Sequence, residues 1–589
     1  MSIQRKSGVR ACAVACSALM SLLSHAAAAA APYVGRTLVD VIDELEAAGL
    51  AFVYSTNLVP NALRVRSEPE GEMPLDIMRE ILAGHGLELA TSGKVHLIVR
   101  ARVEPEGERL PADAAPDLPA APKLEELTVS ASRYDISRDG AYEPAYFDRA
   151  EIESLADLGG DPLRVMHRLP GTASDGYSAK SHVRGGDTNE MSIILDGFEL
   201  IDPFHARDFQ SLFSALDHRA IADVQIHSGG FPASYGDSLS GIMLIEPRSP
   251  ERRLVHELGL SLLSTSVLSG GTFDGGDSEW LASARRSNLD LLLDRDIGRP
   301  SYGDAFVHLS SRLGAKTRVS INALASEDDI AMIAENDGPD QENARSDTSN
   351  QQFWLKLDNE WNERLTSSTI VSSAHFSNVR TGSVLDPEEI EGYVRDHRTL
   401  QAVGVKQDWQ WQAAGRQHVQ WGFDAKRLQA DYDYESFRRY FGFYAAFGLG
   451  PTEIDRDIAL EPAGESLALY FSNRLALGPR LVAELGFRWD KQTYLPVAAG
   501  DDQLSPRLGL LYRIGPRTSV RASWGRFFQS QDILHLDVQD GVEGFSPAQL
   551  AEHSIVSFEH RFANDLALRV EAYHKDMPEQ TPRYENVFE

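Results

Sequence analysis

Asp202, His205 and Asp208, in the run DPFHARD, come nearest to a reactive set in this chain. An imidazole flanked by two carboxylates could ligate a divalent cation or pass a proton, because a neutral ring nitrogen offers a lone pair and the carboxylates supply negative charge. No cysteine or second histidine stands at ligand spacing, so a solvated turn is the plainer account. The only cysteines, Cys12 and Cys16, lie in the first 31 residues, which removes disulfides, thiolate metal sites and cysteine nucleophiles from everything after them. A serine nucleophile would want a Gly-x-Ser-x-Gly elbow between strand and helix, and none occurs in that context. The residues point away from an enzyme, and no set of them implies a metal or a cofactor.

What the sequence does organise is backbone. From His182 to Ile245, short apolar runs (Met191 to Leu195, Ile221 to Ile226, Gly241 to Ile245) alternate with turns at Arg184-Gly185-Gly186, Asp196-Gly197, Gly229-Gly230 and Tyr235-Gly236-Asp237. Such spacing predicts strands between tight turns, where glycine enters positive φ without a Cβ penalty. The order Arg-Gly-Gly, Ile-Leu-Asp-Gly, Ile-x-x-Val-x-Ile, Gly-Gly-x-Pro-Ala-x-Tyr-Gly-Asp, Ser-Gly-Ile resembles the plug domain of TonB-dependent outer-membrane receptors. The resemblance assigns Arg184, Gly185, Gly186, Asp196, Gly197, Gly229, Gly230, Pro232, Tyr235, Gly236, Asp237 and Gly241 to the plug framework. Arg184 and Asp196 are expected to form charge pairs that hold plug to wall. A helix is expected over Ser154 to Leu169.

Upstream, Arg5, Lys6 and Arg10, an apolar Ala11 to Leu23 run and then alanines form a secretory leader over residues 1–31. Residues 32–101 carry Leu38, Val41, Ile42 and Leu45 at helical spacing up to Gly49, a strand at Phe52 to Tyr54, a helix from Leu75 to Ala83 and a strand from Val95 to Val99. This βαβ-type order is similar to the short domain shared by secretins and some TonB-dependent receptors (STN). It implies a periplasmic module that either contacts an anti-sigma regulator at the inner membrane or serves as a stabilising appendage. Residues 102–123 are rich in proline, alanine and acid and read as an extended linker.

The strip that follows, residues 124–131, contains Glu125, Glu126, Leu127, Thr128, Val129, Ser130 and Ala131. It resembles the box through which these receptors couple to the periplasmic TonB energiser complex. Added to a sheet edge in another protein, such a strip gains affinity from backbone hydrogen bonds and register from alternate side chains. Residues 132–250 form the expected plug.

All eight tryptophans lie beyond residue 250, where the pattern turns to strict alternation. Phe353, Leu355, Leu357 and Trp361 share one parity, and Gln352, Lys356, Asp358 and Glu360 the other. Leu467, Leu469, Phe471, Leu475 and Leu477, then Leu481, Ala483, Leu485, Phe487 and Trp489, do the same. One apolar face of about 9–11 residues crosses a membrane as a tilted strand. The fold expected is an all-β transmembrane barrel (251–589) with an N-terminal α+β plug and the small βαβ domain. Trp361, Trp411, Trp489, Tyr432 and Tyr434 are read as interfacial girdles. Only about 15 strands can be placed, against about 22 for plugged barrels, and Pro578 to Glu589 makes a poor closing strand, so the wall is expected to be incomplete over these residues. Two long segments, acidic Glu327 to Asp347 and aromatic Asp431 to Phe447, are expected to be exposed loops that catch substrate or meet lipopolysaccharide.

A formal net charge of −30 excludes nucleic acid, which needs clustered cations. The expected partners are the energiser, outer-membrane lipid and lipopolysaccharide, an anti-sigma regulator and a small-molecule substrate. The expected function is import across a Gram-negative outer membrane, with a ferric siderophore or similar chelate as cargo. The alternatives are a signal transducer and, from another class, a passive structural or adhesive barrel.

Overall fold

A computed structural model describes residues 33–47, 51–53, 63–69, 74–85, 87–92, 95–100, 142, 144–154, 160–208, 210–250, 252–292, 300–334, 341–413, 416–448, 452–496, 503–562 and 566–580. The chain divides into two compact units, Met1–Lys123 and Leu124–Glu589.

In the first unit, α1 (Leu38–Ala47) and α2 (Pro74–Ala83) accompany three strands, β1 (Ala51–Val53), β2 (Leu87–Ser92) and β3 (Val95–Arg100). β3 lies centrally, parallel to β1 and antiparallel to β2. The helical spacing read from the sequence becomes one buried stripe: Leu38, Val41, Ile42 and Leu45 meet Met78, Ile81 and Leu82 of α2 in a single core. Pro74 opens α2, where its missing N–H costs nothing. Gly49 and Tyr54 lie outside the described residues.

In the second unit, a five-stranded sheet is built from β4 (Ala145–Asp148), β7 (Met191–Leu195), β8 (Phe198–Glu199), β11 (Ile221–His227) and β12 (Gly241–Pro247), in the order β4-β11-β12-β7-β8. Two short hairpins complete it, β5 (Thr172–Ala173) with β6 (His182–Val183) and β9 (Phe204–His205) with β10 (Phe213–Ser214). The helix expected over Ser154 to Leu169 is not one element. α3 spans Arg149–Ser154, and a 3₁₀ turn covers Pro162–Arg168, started by Asp161, whose carboxylate accepts from the Leu163 N–H. Gly160 at positive φ and Pro162 forbid a continuous α-helix there. Leu163, Val165 and Met166 are still buried.

Strands β13 to β28, from Val255 to Glu579, form one 16-stranded antiparallel sheet. β22 (Glu453–Leu460) and β23 (Ala463–Ala476) both lie along β21 (Gln417–Tyr440) in one line, with Leu460 opposite Tyr432 and Ala463 opposite Gln429. They are one wall position interrupted at Glu461-Pro462, because proline supplies no ladder donor. The path runs from β13 to β28, and among the described residues no ladder joins those two edges.

The apolar parity read from the sequence faces outward: Phe353, Leu469, Phe471, Leu485 and Phe487 are exposed along their strands. Connections at one rim are short, as at 314–316, 363–364 and 516–517, whereas those at the other include 441–452 and 530–548. Short turns mark the periplasmic rim of such barrels. Near that rim Trp361, Trp409 and Trp421 stack with ring centroids 5.8 and 6.1 Å apart. No described helix is long and apolar enough to cross a membrane.

Two expectations need correction. The Glu327 to Asp347 and Asp431 to Phe447 segments are mainly not loops. They are the outer ends of β17 (Thr317–Ala334), β18 (Gln341–Asn362) and β21, with a short helix at Gly442–Phe447. These strands of 18, 22 and 24 residues outrun the bilayer, and beyond lipid neither face has to be apolar, so the alternation that marks a strand fades. Tyr432 and Tyr434 are not girdle residues either. Both are buried on the inner face of β21.

Candidate functional site in the lumen

The inner face of the wall is largely polar but carries apolar patches, and the largest of those shared with the plug is one continuous core. Leu268, Leu281, Phe306, Leu324, Trp354 and Ile370 share a buried core with plug residues Leu195, Phe198, Phe204 and Met243, and Phe198 stacks on Trp354 at 4.9 Å. Burial of this kind, at about 25 cal/mol per Å2 of apolar surface, seats the plug without direction. Direction comes from charge.

Arg184, at φ 50°, pairs with Glu571 of β28 (Ala567–Glu579), donates to the Ser228 hydroxyl at 3.1 Å and lies 4.7 Å over the Tyr573 ring. Asp196, at φ 46°, accepts from Lys356 Nζ and Asn322 Nδ2, each at 2.8 Å. Glu190 meets Lys575 of β28 at 2.6 Å. Glu199 meets Lys426 of β21 at 2.6 Å. The turn from Gly229 to Asp237 is held from above its backbone. Arg507 donates to the carbonyls of Phe231, Pro232 and Tyr235 and lies over both the Phe231 and Phe527 rings, and Arg488 donates to the carbonyls of Ala233 and Ser234. Lys356 lies on the polar parity of its strand, but inward parity says only that a side chain meets the lumen. Which plug group it meets is written nowhere in the sequence.

The glycines divide by cause. Gly185, Gly197, Gly229 and Gly230 have positive φ. Gly186, Gly236 and Gly241 do not, and there the constraint is space. A Cβ on Gly236 would lie 1.9 Å from Arg488 Nε, and one on Gly241 would lie 2.7 Å from the His227 carbonyl oxygen. A Cβ on Gly186 would lie 1.9 Å from Ser240 Oγ and 2.3 Å from Glu190 Oε2. Gly186→Ala is therefore expected to destabilise the plugged chain by about 1–3 kcal/mol, by overpacking a buried ion pair. Gly185→Ala, with open space around its Cβ, should cost about 1–2 kcal/mol through φ alone. Thermal unfolding of the two variants checks the contrast, and an unaltered Gly186→Ala transition contradicts it.

Asp202, His205 and Asp208 do not converge. Asp202 pairs with Arg207 at 3.2 Å, and Asp208 accepts from the Ser346 hydroxyl at 2.5 Å and faces Arg380 at 3.5 Å. His205, fully buried, bridges two wall carboxylates, Asp328 at 2.6 Å and Asp304 at 3.1 Å. Burial disfavours its charge, but hydrogen bonds to Asp304 and Asp328 outweigh that and hold the ring above the ordinary histidine value. What looked like a solvated turn is a docking point. Among the described residues no group of three or more ligand-type side chains could hold a metal ion.

On the other flank a narrow cleft of about 50 Å3 separates plug from wall, lined by Glu199, Asp237, Asp424, Lys426, Arg488 and Asp490 among others. Burial, reinforced by the Glu199 charge, pushes the Asp237 carboxyl up to about 7. Glu125, Glu126, Leu127, Thr128, Val129, Ser130 and Ala131 lie outside the described residues.

A curved, outward-apolar antiparallel wall whose lumen is occupied by a separate α+β domain defines the class of plugged outer-membrane receptor barrels. Residues 266–550 match the family described as TonB dependent receptor-like, beta-barrel. Solved structures share the fold. Pseudomonas aeruginosa FpvA bound to a heterologous pyoverdine and iron is 12% identical, with 92% of this chain and 76% of that chain covered and a TM-score of 0.53. The siderophore receptor PiuA of Acinetobacter baumannii is 12% identical, with 76% and 74% covered and a TM-score of 0.53. The outer membrane transporter YddB of Escherichia coli is 11% identical, with 74% and 69% covered and a TM-score of 0.54. No curated protein matches the chain.

Proposed function

We propose that this chain actively imports a scarce small molecule of the ferric siderophore type across the outer membrane. The observation that carries it is the plug itself, seated in the lumen and tied by charge to strands from β16 (Ser301–Leu313) round to β28. A solute cannot diffuse past such a plug, so passage requires work on it. The outer membrane has no nucleotide supply. In this reading residues 124–131 are grasped as an added strand by the energiser complex and pulled, residues 1–31 are the leader, 102–123 the linker, and 132–250 the plug that yields. Pseudomonas aeruginosa FpvA binding pyoverdine with iron, and PiuA as a siderophore receptor, support this cargo class.

Residues 32–101 favour a second role. They belong to a compact unit separate from the receptor body, as a module reporting occupancy to an anti-sigma regulator requires. Cells making the full chain should accumulate radioactive iron from a panel of ferric siderophores, and a protonophore should reduce accumulation to the level of cells lacking the chain. Deleting residues 33–100 should leave accumulation intact while siderophore-dependent induction disappears. Accumulation indifferent to the protonophore would replace import with a passive or adhesive barrel.

A further inference from the structure

The connection at 530–548, between β26 (Thr518–Gln529) and β27 (Gln549–Arg561), lies at the rim of long connections but does not behave as a solvated loop. Its run Ile533-Leu534-His535-Leu536-Asp537-Val538 buries Ile533, Leu534, Leu536 and Val538 among Phe376, Leu400, Tyr432, Tyr434 and Ile458, on the inner face of β19 (Leu365–Asp386) to β22. The segment thus leaves the wall at β26 and anchors several strands away. Polar groups fix it there. Tyr432 donates its hydroxyl to the Ile533 carbonyl at 2.6 Å, and Arg398 Nη1 donates to the Leu534 and Leu536 carbonyls, each at 3.2 Å.

The same segment is tied to the plug beneath. The Asp237 carboxylate accepts from the Ser530 N–H at 2.6 Å and from its hydroxyl at 2.8 Å. Arg207 meets His535 Nε2 at 2.9 Å, Gln529 donates to the Asn189 carbonyl at 2.8 Å, and plug residue Ile201 packs against the apolar cluster that the run joins. Asp237 belongs to the plug turn clamped by Arg488 and Arg507, so a shift of that turn cannot leave Ser530 where it is.

We propose that residues 530–548 are a strap, a second barrier lying across the lumen outside the plug, latched to the wall by Tyr432 and Arg398 and to the plug by Asp237. Movement of the plug turn releases the strap, and a solute that lifts the strap from outside loosens the turn. What the strap gates rests on the import reading. Its latching does not.

Both native cysteines precede residue 31, so one engineered thiol is the only one in the chain beyond it. In the full chain on intact cells, Ile201→Cys should react slowly with a membrane-impermeant maleimide, because Ile201 packs against the cluster that the strap completes. Leu534→Asp with Leu536→Asp, which expels the strap from its wall cluster, should speed labelling about tenfold or more, as a local opening responds to a lost buried anchor. Asp237→Ala, which cuts only the plug latch, should also speed it. Phe447→Cys, on the exposed helix after β21, reports correct assembly and should label fast in every background. Equal Ile201→Cys rates in all backgrounds overturn the strap, and acceleration by the leucine changes alone overturns its coupling to the plug. The labelling requires no transport, so its result and that of the accumulation assay are independent.

Discussion

Cells carrying Val129→Pro in the otherwise unchanged chain should bind a ferric siderophore at the surface as the parent does and import none of it. Proline has no backbone N–H and holds φ near −65°. In the strip proposed to add to the edge of another protein's sheet, it would delete a ladder donor at the centre of the pairing and misdirect the residues on either side. Val129→Thr keeps the donor and the β-branched shape and should retain import, so the pair separates backbone pairing from side-chain identity. In the proposed reading surface binding does not draw on this strip, so it should be untouched by the change. Import at the parental rate by Val129→Pro would remove the strip from the mechanism.

Replacing His205 by leucine should have the largest effect on how firmly the plug sits. The ring stands between Asp304 and Asp328, whose side chains are 2% and 4% exposed. Arg285 stays on Asp304 at 2.7 Å, but Asp328 would keep only the Ala206 N–H at 3.2 Å among the described plug contacts. Stranding a buried carboxylate in this way costs about 3–5 kcal/mol, whereas His205→Gln, which still donates one hydrogen bond, should cost about 1–3 kcal/mol.

The same site predicts a pH dependence. His205 binds its proton more tightly in the folded chain than in the unfolded one. Its contribution is therefore complete below the ordinary histidine value of about 6.5 and is lost as pH rises through the higher folded-state value. Urea unfolding or proteolytic release of the plug should show the parent weakening as pH rises above about 6.5, more steeply than His205→Leu over the same range. A parent no more sensitive than the leucine variant would mean that the ring is neutral and the bridge is not ionic.

Much of this arrangement is legible in residue order, and the limits of legibility have identifiable causes. Leu38, Val41, Ile42 and Leu45 mark their helix because one face must leave water, and Phe353, Leu355 and Leu357 mark their strand because one face must meet lipid. Where neither demand applies, the signal disappears. The outer ends of β17, β18 and β21 lie beyond lipid, so their outward faces need not be apolar, and they look like loops. The segment at Ser154 to Leu169 shows the opposite failure: its apolar spacing is helical and its residues are buried, yet Gly160 and Pro162 break the backbone that would have carried them.

The sequence alone determined the class: an exported chain, a turn-rich plug, and an outward-apolar strand set, each following from local rules of backbone freedom and from the solvent each face must meet. Tertiary structure alone decided the contacts between them. Asp202, His205 and Asp208 look like one cluster along the chain, but the plug turn points each at a different partner, and His205 becomes a salt-bridged dock because Asp304 and Asp328, 99 and 123 residues away, line the same lumen. The apolar run at Ile533 to Val538 likewise has no meaning as a loop until wall curvature brings Tyr432 and Arg398 opposite it. Hydropathy is a property of neighbours in sequence, whereas electrostatic and hydrogen-bond pairing depends on distances of a few ångströms that only curving the sheet around the plug establishes.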